Sequence, residues 1–144
     1  MTRRCPICER IILWRKDCNP DVVASFRQSI LVAGANQHFR GYAVLLLKRH
    51  IREPHQLSPR ARRELFDELM RSGTAVWKAF RPWKLNYACY GNAVPHIHWH
   101  IIPRYRSDLS RKTPPWLVAG FRKGRPAPER ARRRIVASIR KHLS

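Results

Sequence analysis

From His96 to Ile102 the chain reads His-Ile-His-Trp-His-Ile-Ile, polar and apolar residues alternating up to the last pair. Side chains of a β-strand point alternately to its two faces. The segment therefore predicts a strand over 96–102, with His96, His98 and His100 on one face and Ile97, Trp99 and Ile101 on the core face. With seven histidines in 144 residues, three at alternate positions are a rare accident. Such a strand demands a sheet buried on one side and leaves an imidazole-bearing side for chemistry. The three rings could ligate a catalytic zinc directly. Alternatively one acts as nucleophile while its neighbours, and a zinc, orient and support it.

The remainder reads as the material of one domain. An apolar share of 44%, with five Trp, five Phe and four Tyr, is enough for a core and excludes a wholly disordered chain. There is no internal repeat or long low-complexity linker. No run of about 18 apolar residues occurs, which excludes a transmembrane helix. The start, MTRRCPICER, lacks the apolar stretch of a secretory signal, so a soluble cytoplasmic protein without a disulfide framework is expected.

Apolar, β-branched residues predict strands at 29–33 and 41–48, the second buried on both faces. Ser58-Pro59 opens a long helix over 59–80 whose Leu65, Phe66, Leu69, Met70, Val76, Trp77 and Phe80 form one apolar face. A strand at 84–90 and the turn Gly91–Pro95 lead into the histidine segment. Residues 114–116 are irregular, and 126–143 predicts a helix with Ala131, Ile135, Ile139 and Leu143 on one side and arginines on the other.

Two further features bear on chemistry. Cys5-Pro6-Ile7-Cys8 has the spacing of a metal knuckle, half of a tetrahedral zinc site, or of a redox pair. Redox motifs of this kind open helices, whereas 9–14 (ERIILW) reads as a strand. The charge is the other: 30 Lys+Arg, 23 of them Arg, against nine Asp+Glu give +21. That field attracts polyanions and also suits a merely solvated basic surface.

Taken together, these segments resemble the histidine-triad (HIT) superfamily of nucleotide hydrolases and transferases, bacterial-type nucleotide hydrolase branch. His-Ile-His-Trp-His-Ile-Ile matches its His-φ-His-φ-His-φ-φ signature (φ, apolar). The segment 41–50, Gly-Tyr-Ala-Val-Leu-Leu-Leu-Lys-Arg-His, resembles its Gly-His-x-Leu-Val-x-Pro-Lys-x-His. Cys5 and Cys8 stand where zinc-bearing members carry their pair, and Asn86 and 91–96 complete an ordered match over about residues 5–106.

The resemblance implies an α+β fold, an antiparallel sheet carrying the triad with one long helix packed on it and a C-terminal helix beyond. It implies a HIT-like domain over 1–120, with a basic extension over 121–144 docked on it, and a homodimer. Cys5, Cys8, His50 and His96 would hold a structural zinc. His98 would be the nucleophile at an α-phosphorus, with His100 and Asn86 as the other catalytic residues. Asn92 and Arg104 would bind substrate. His38, His55 and His142 have no motif support and are read as surface residues. In the transferase branches the third triad position is often Gln, so His100 favours hydrolysis. The substrates implied are nucleoside phosphoramidates or dinucleoside polyphosphates, the latter arriving with Mg²⁺.

Three departures alter the expected pocket. Asn92-Ala93 replaces the usual Gln and hydroxyl residue. Gly34 stands at the ribose-gripping position, with Asn36 close by. The loop from Asn86 to the triad is short, which changes the room for a leaving group. Residues 11–14 and 30–33 read as base pocket or as core, and Trp116 as lid or as anchor. Two other readings stay open. In one, a nucleic-acid-binding HIT protein uses its basic tail and acts on adenylated ends or not at all. In the other, a hydrolase uses the triad as zinc ligands.

Overall fold

The computed structural model describes residues 5–143. Helix α1 (Pro6–Arg15) is followed by strands β1 (Val22–Ser25), β2 (Ser29–Ala33) and β3 (Ala43–Leu47). Helix α2 (Pro59–Phe80), strands β4 (Lys84–Ala88) and β5 (His98–Arg104), the short α3 (Ala119–Arg122) and α4 (Glu129–Arg140) complete the chain. All five strands join one antiparallel sheet in the order β1-β2-β3-β5-β4. The architecture is the α+β one expected.

Strand β3 is buried along its whole length, and its alternation divides the core in two. Ala43, Leu45 and Leu47 join Leu31, Ala33, Ile97 and Ile101 beneath α2 and α4. Val44 and Leu46 face the other way, with Ile30, Val32 and Ile102, against Ile7 and Ile11 of α1 and Phe121 of α3. Burying such side chains on both faces contributes about 1.5–3 kcal/mol each and makes this strand the rigid centre of the molecule. The histidine strand β5 lies directly beside it, Val44 opposite His100 and Leu46 opposite His98.

Three sequence expectations are corrected. Residues 9–14 are helical: Pro6 sits in the first turn with its φ already set, and Ile7 and Ile11, one turn apart, are buried together. The run ERIILW looked strand-like because Ile12 and Leu13, at 49% and 47% exposure, are apolar without being core. The histidine strand begins at His98, two residues late, and runs to Arg104. The loop after β3 holds the preceding segment, Ile97 N–H donating to Ile51 O and the Leu47 N–H to Ile97 O. Finally, the apolar residues of α2 form two faces rather than one. Leu65, Leu69 and Val76 enter the core while Phe66, Met70 and Trp77 remain 57%, 36% and 44% exposed.

The ends of α2 follow the sequence closely. The Ser58 hydroxyl accepts from the Ala61 N–H, a cap contributing about 1 kcal/mol. Arg81 closes the helix in the left-handed region at φ 49°, just before Pro82. In α4, Ile135, Val136 and Ile139 are buried, whereas Ala131 is exposed. Arg132 pairs with Asp21 at 2.8 Å and Arg140 donates to the carbonyls of Val22 and Val23, which ties the helix to β1. Among the described residues no helix is long and apolar enough to cross a membrane.

Candidate functional site

Cys5 caps α1 and Cys8 lies in its first turn, so both sulfurs project from the same end of the helix. They meet His50, which follows β3, and His96, which precedes β5. Cys5 Sγ lies 3.5 Å from His96 Nδ1, and Cys8 Sγ lies 3.3 Å from His50 Nδ1 and 3.6 Å from His96 Nδ1. The two Nδ1 atoms are 3.2 Å apart, and all four donors fall within 4.8 Å of one another. Tetrahedral zinc with ordinary Zn–N and Zn–S bonds spaces its ligands by about 3.4–3.8 Å. His96 is also in the correct tautomer: its Nε2–H donates to Leu47 O at 2.7 Å, which leaves Nδ1 as a lone pair facing the sulfurs. The donor set therefore fits a closed, structural zinc. A helical CxxC would have suited a redox pair, but these sulfurs face two imidazoles.

On the α1 side of β5, the His98 and His100 rings stand 4.9 Å apart. The His98 Nδ1–H donates to the His96 carbonyl at 2.6 Å. That bond fixes the tautomer and leaves Nε2 with a free lone pair. His96 thus serves both clusters, its ring in one and its carbonyl in the other.

His100 is set differently. Its Nδ1 lies 2.6 Å from the hydroxyl of Tyr42, a residue 8% exposed, whose ring stacks on the imidazole at 18°. Burial, with the His98 charge second, lowers the His100 pKa from 6.5 to about 4, so the ring is neutral at pH 7. Burial also pushes the Tyr42 phenol well above its ordinary value. The protonated hydroxyl and the neutral ring share one hydrogen bond, at Nδ1, which leaves Nε2 facing the His98 side. The pair therefore presents the free Nε2 of His98 beside a neutral imidazole.

Both histidines open onto a cavity of about 470 Å³, walled by Ile7, Tyr42, Val44, Leu46, Trp116 and Phe121. Asn36, Arg10 and Arg122 add polar and positive groups to its lining. This volume suits a nucleoside-sized ligand. Val94, His98, His100 and Trp116 also border a second cavity of about 500 Å³ on the loop side, where Asn92 lies.

The other expected site residues are distributed unevenly. Asn86 shares the sheet face with the triad but spends its Oδ1 on Arg104 at 3.3 Å, away from His98. Arg104 is 1% exposed and is consumed by the fold. It pairs with Asp108 at 2.8 Å, donates to the carbonyls of Ser110 and Thr113, and sits over the Phe39 ring. A guanidinium so occupied braces the loop after β5 and has no donor left to steer phosphate. Residues 30–33 are fully buried core, and 11–14 border neither cavity. Trp116 packs 4.8 Å from His100 and 4.9 Å from Tyr90, at the boundary of the two cavities. His38, His55 and His142 are exposed.

Tyr42, Phe121 and the first turn of α1 were not legible as site residues. Tyr42 follows Gly41 at the motif position where the family has His, and that substitution was the available signal.

The HIT domain pattern matches residues 15–107, beginning after the cysteine pair. Among solved structures, a histidine triad protein of Sinorhizobium meliloti superposes with TM-score 0.77 at 25% identity, covering 99% of this chain and 100% of that one. A histidine triad nucleotide-binding protein of Sulfolobus tokodaii gives 0.74 at 15% identity, covering 94% and 91%. A zinc-bound histidine triad family protein of Mycobacterium smegmatis gives 0.71 at 19%, covering 97% and 93%. No curated protein matches the sequence. With the domain pattern spanning most of the fold and the triad geometry in place, this chain belongs to the HIT family.

Proposed function

We propose that the chain is a nucleotide hydrolase that cleaves at the α-phosphorus of nucleoside phosphoramidates or dinucleoside polyphosphates. The observation that carries this reading is the His98 tautomer, a free Nε2 lone pair at the mouth of a nucleoside-sized cavity. The nucleoside enters the cavity between Tyr42 and Phe121. His98 Nε2 forms a bond to phosphorus as the bond to the leaving group breaks, and the electron pair departs with that group. The His100 Nε2–H donates to a phosphoryl oxygen or to the departing atom. Water then attacks the same phosphorus, the P–N bond breaks, and the nucleoside monophosphate leaves. Asn92 reaches the leaving group from the loop side, and any Mg²⁺ travels as the counter-ion of a polyphosphate. Zinc on Cys5, Cys8, His50 and His96 supplies no electrophile. Bound there, it would hold α1 against the entry to β5 and so steady the His96 carbonyl on which the His98 tautomer depends.

The test is AMP release from adenosine phosphoramidate and diadenosine polyphosphates by the wild type and by His98→Ala. Activity that disappears in the variant supports the reading, and equal activity in both overturns it.

The chain acts in this reading as a cytoplasmic homodimer, with 121–144 part of the same unit. The exposed Phe66, Met70 and Trp77 lie on α2, and β4 is an edge strand with unpaired backbone groups, so one surface offers both apolar area and an open sheet edge. Sedimentation of Phe66→Glu/Trp77→Glu as a monomer, against a dimeric wild type, is the expected result.

A nucleic-acid role is the second reading, favoured by the charge of +21. Arg132 and Arg140 are spent in docking α4, and Ile135, Val136 and Ile139 are core, so deleting the tail would damage the fold. Removing charge at the exposed Arg130, Arg134 and Lys141 is the cleaner probe, with the salt dependence of oligonucleotide affinity as readout.

A further inference from the structure

The cavity on the loop side of His98 is bounded by Tyr90 and Trp116. Beyond the Tyr90–Trp116 ring pair lies a third cavity of about 450 Å³ on the same face of the sheet. Its lining includes Lys84, Asn86, Arg111 and Lys112, with Tyr90 and Trp116 forming the wall it shares with the second cavity. Lys84, Arg111 and Lys112 are exposed, and none of them has a carboxylate partner among the described residues. The one other cation there, Arg104, is already neutralised by Asp108. No Asp or Glu lines this cavity, the second cavity or the nucleoside-sized one.

We infer that this third cavity is an anion site for the distal part of the substrate, making the enzyme selective for polyanionic leaving groups over amines. The inference rests on the hydrolase reading and deepens it, choosing between the two substrate classes that reading leaves open. The three cavities follow one another along this face: the nucleoside pocket and the second cavity share His98, His100 and Trp116, and the second and third share Tyr90 and Trp116, beyond which stand three uncompensated cations. A polyphosphate that leaves from the α-phosphorus carries its negative charge along that line. The aromatic pair offers ring faces to a second base, the combination of cationic track and stacking surface that suits nucleotides. An amine leaving group, neutral or positive, gains nothing from Lys84, Arg111 and Lys112 and is repelled when protonated.

The experiment uses inorganic tripolyphosphate as the probe, titrated calorimetrically into wild type, Lys84→Ala/Arg111→Ala/Lys112→Ala, and a control, Arg130→Ala/Arg134→Ala/Lys141→Ala. The control removes the same charge from the tail. The expected result is binding weakened about tenfold or more in the first variant and little changed in the control, since charge-assisted contacts are local. Equal weakening in both would mean that tripolyphosphate responds to net charge alone, and weakening in neither that it binds elsewhere; either result would overturn the inference. Turnover supplies the second arm. The ratio of kcat/KM for diadenosine tetraphosphate to that for adenosine phosphoramidate should fall about tenfold in the first variant alone. An unchanged ratio would refute the assignment. Absence of turnover in the wild type would count against the hydrolase reading instead, with the tripolyphosphate titration still deciding the anion site.

Discussion

Replacing His100 by Gln should flatten the acid limb of the protein's stability curve. In the fold, burial and the neighbouring His98 charge hold the His100 pKa at about 4, against 6.5 for the ordinary group. Between those values the unfolded chain binds a proton at this position and the folded chain does not. The unfolded state then holds more protons, so stability falls as pH drops through the window and recovers as pH rises. Taking the two values as they stand, the loss between pH 7 and pH 4.5 is about 2 kcal/mol from this residue alone. Glutamine does not titrate, and its carbonyl can still accept from the Tyr42 hydroxyl. Urea unfolding of both proteins at the two pH values isolates the residue, because zinc release and carboxylate protonation affect both alike and cancel in the difference. The wild type should lose about 2 kcal/mol more than His100→Gln. Parallel losses would refute the claim that His100 is a buried neutral imidazole, and with it the assignment of its Nε2–H as donor.

The remaining predictions concern its neighbours. Tyr42→Phe removes the hydroxyl that holds His100 Nδ1 and should lower kcat about 10- to 100-fold with KM little changed, as steady-state kinetics will show. Cys8→Ser breaks the Cys2His2 set: bound zinc by elemental analysis should fall from about one per chain to near zero, with a lowered melting temperature. Arg104→Met leaves Asp108 and two loop carbonyls without their partner and should cost about 3–5 kcal/mol in urea unfolding, whereas a loss under about 1 kcal/mol would show that the loop after β5 is braced by other contacts.

The triad was legible because alternation is a local property: spacing two apart puts His98 and His100 on one face of a strand wherever that strand lies. The same holds for β3, whose continuous apolar run required cover on both sides, and for Ser58-Pro59, which sets a helix start by its own chemistry. The cysteine pair was legible from its spacing, but the complete set of zinc donors only through the family resemblance, since Cys5 and His96 are 91 residues apart. The errors arose where burial, not composition, decides. Phe66 and Met70 resemble Leu65 and Leu69 to any periodicity argument, yet only one pair faces the sheet. Ile12 and Leu13 made a helix look like a strand because an apolar residue at the surface cannot be told from one in the core.

The sequence by itself determined the chemistry available: two imidazoles on one face of a strand, a cysteine pair, a helix between strands and a large excess of arginine. Tertiary structure decided what each group is free to do. It spent Arg104 on Asp108 and the loop, and Asn86 on Arg104. It brought Tyr42 from β3's approach to His100 and turned His96 to face zinc ligands with its ring and His98 with its carbonyl. Hydrogen bonds and burial are properties of neighbours in space, and of these partners only His96 with His98, and Arg104 with the loop that follows it, lie close along the chain.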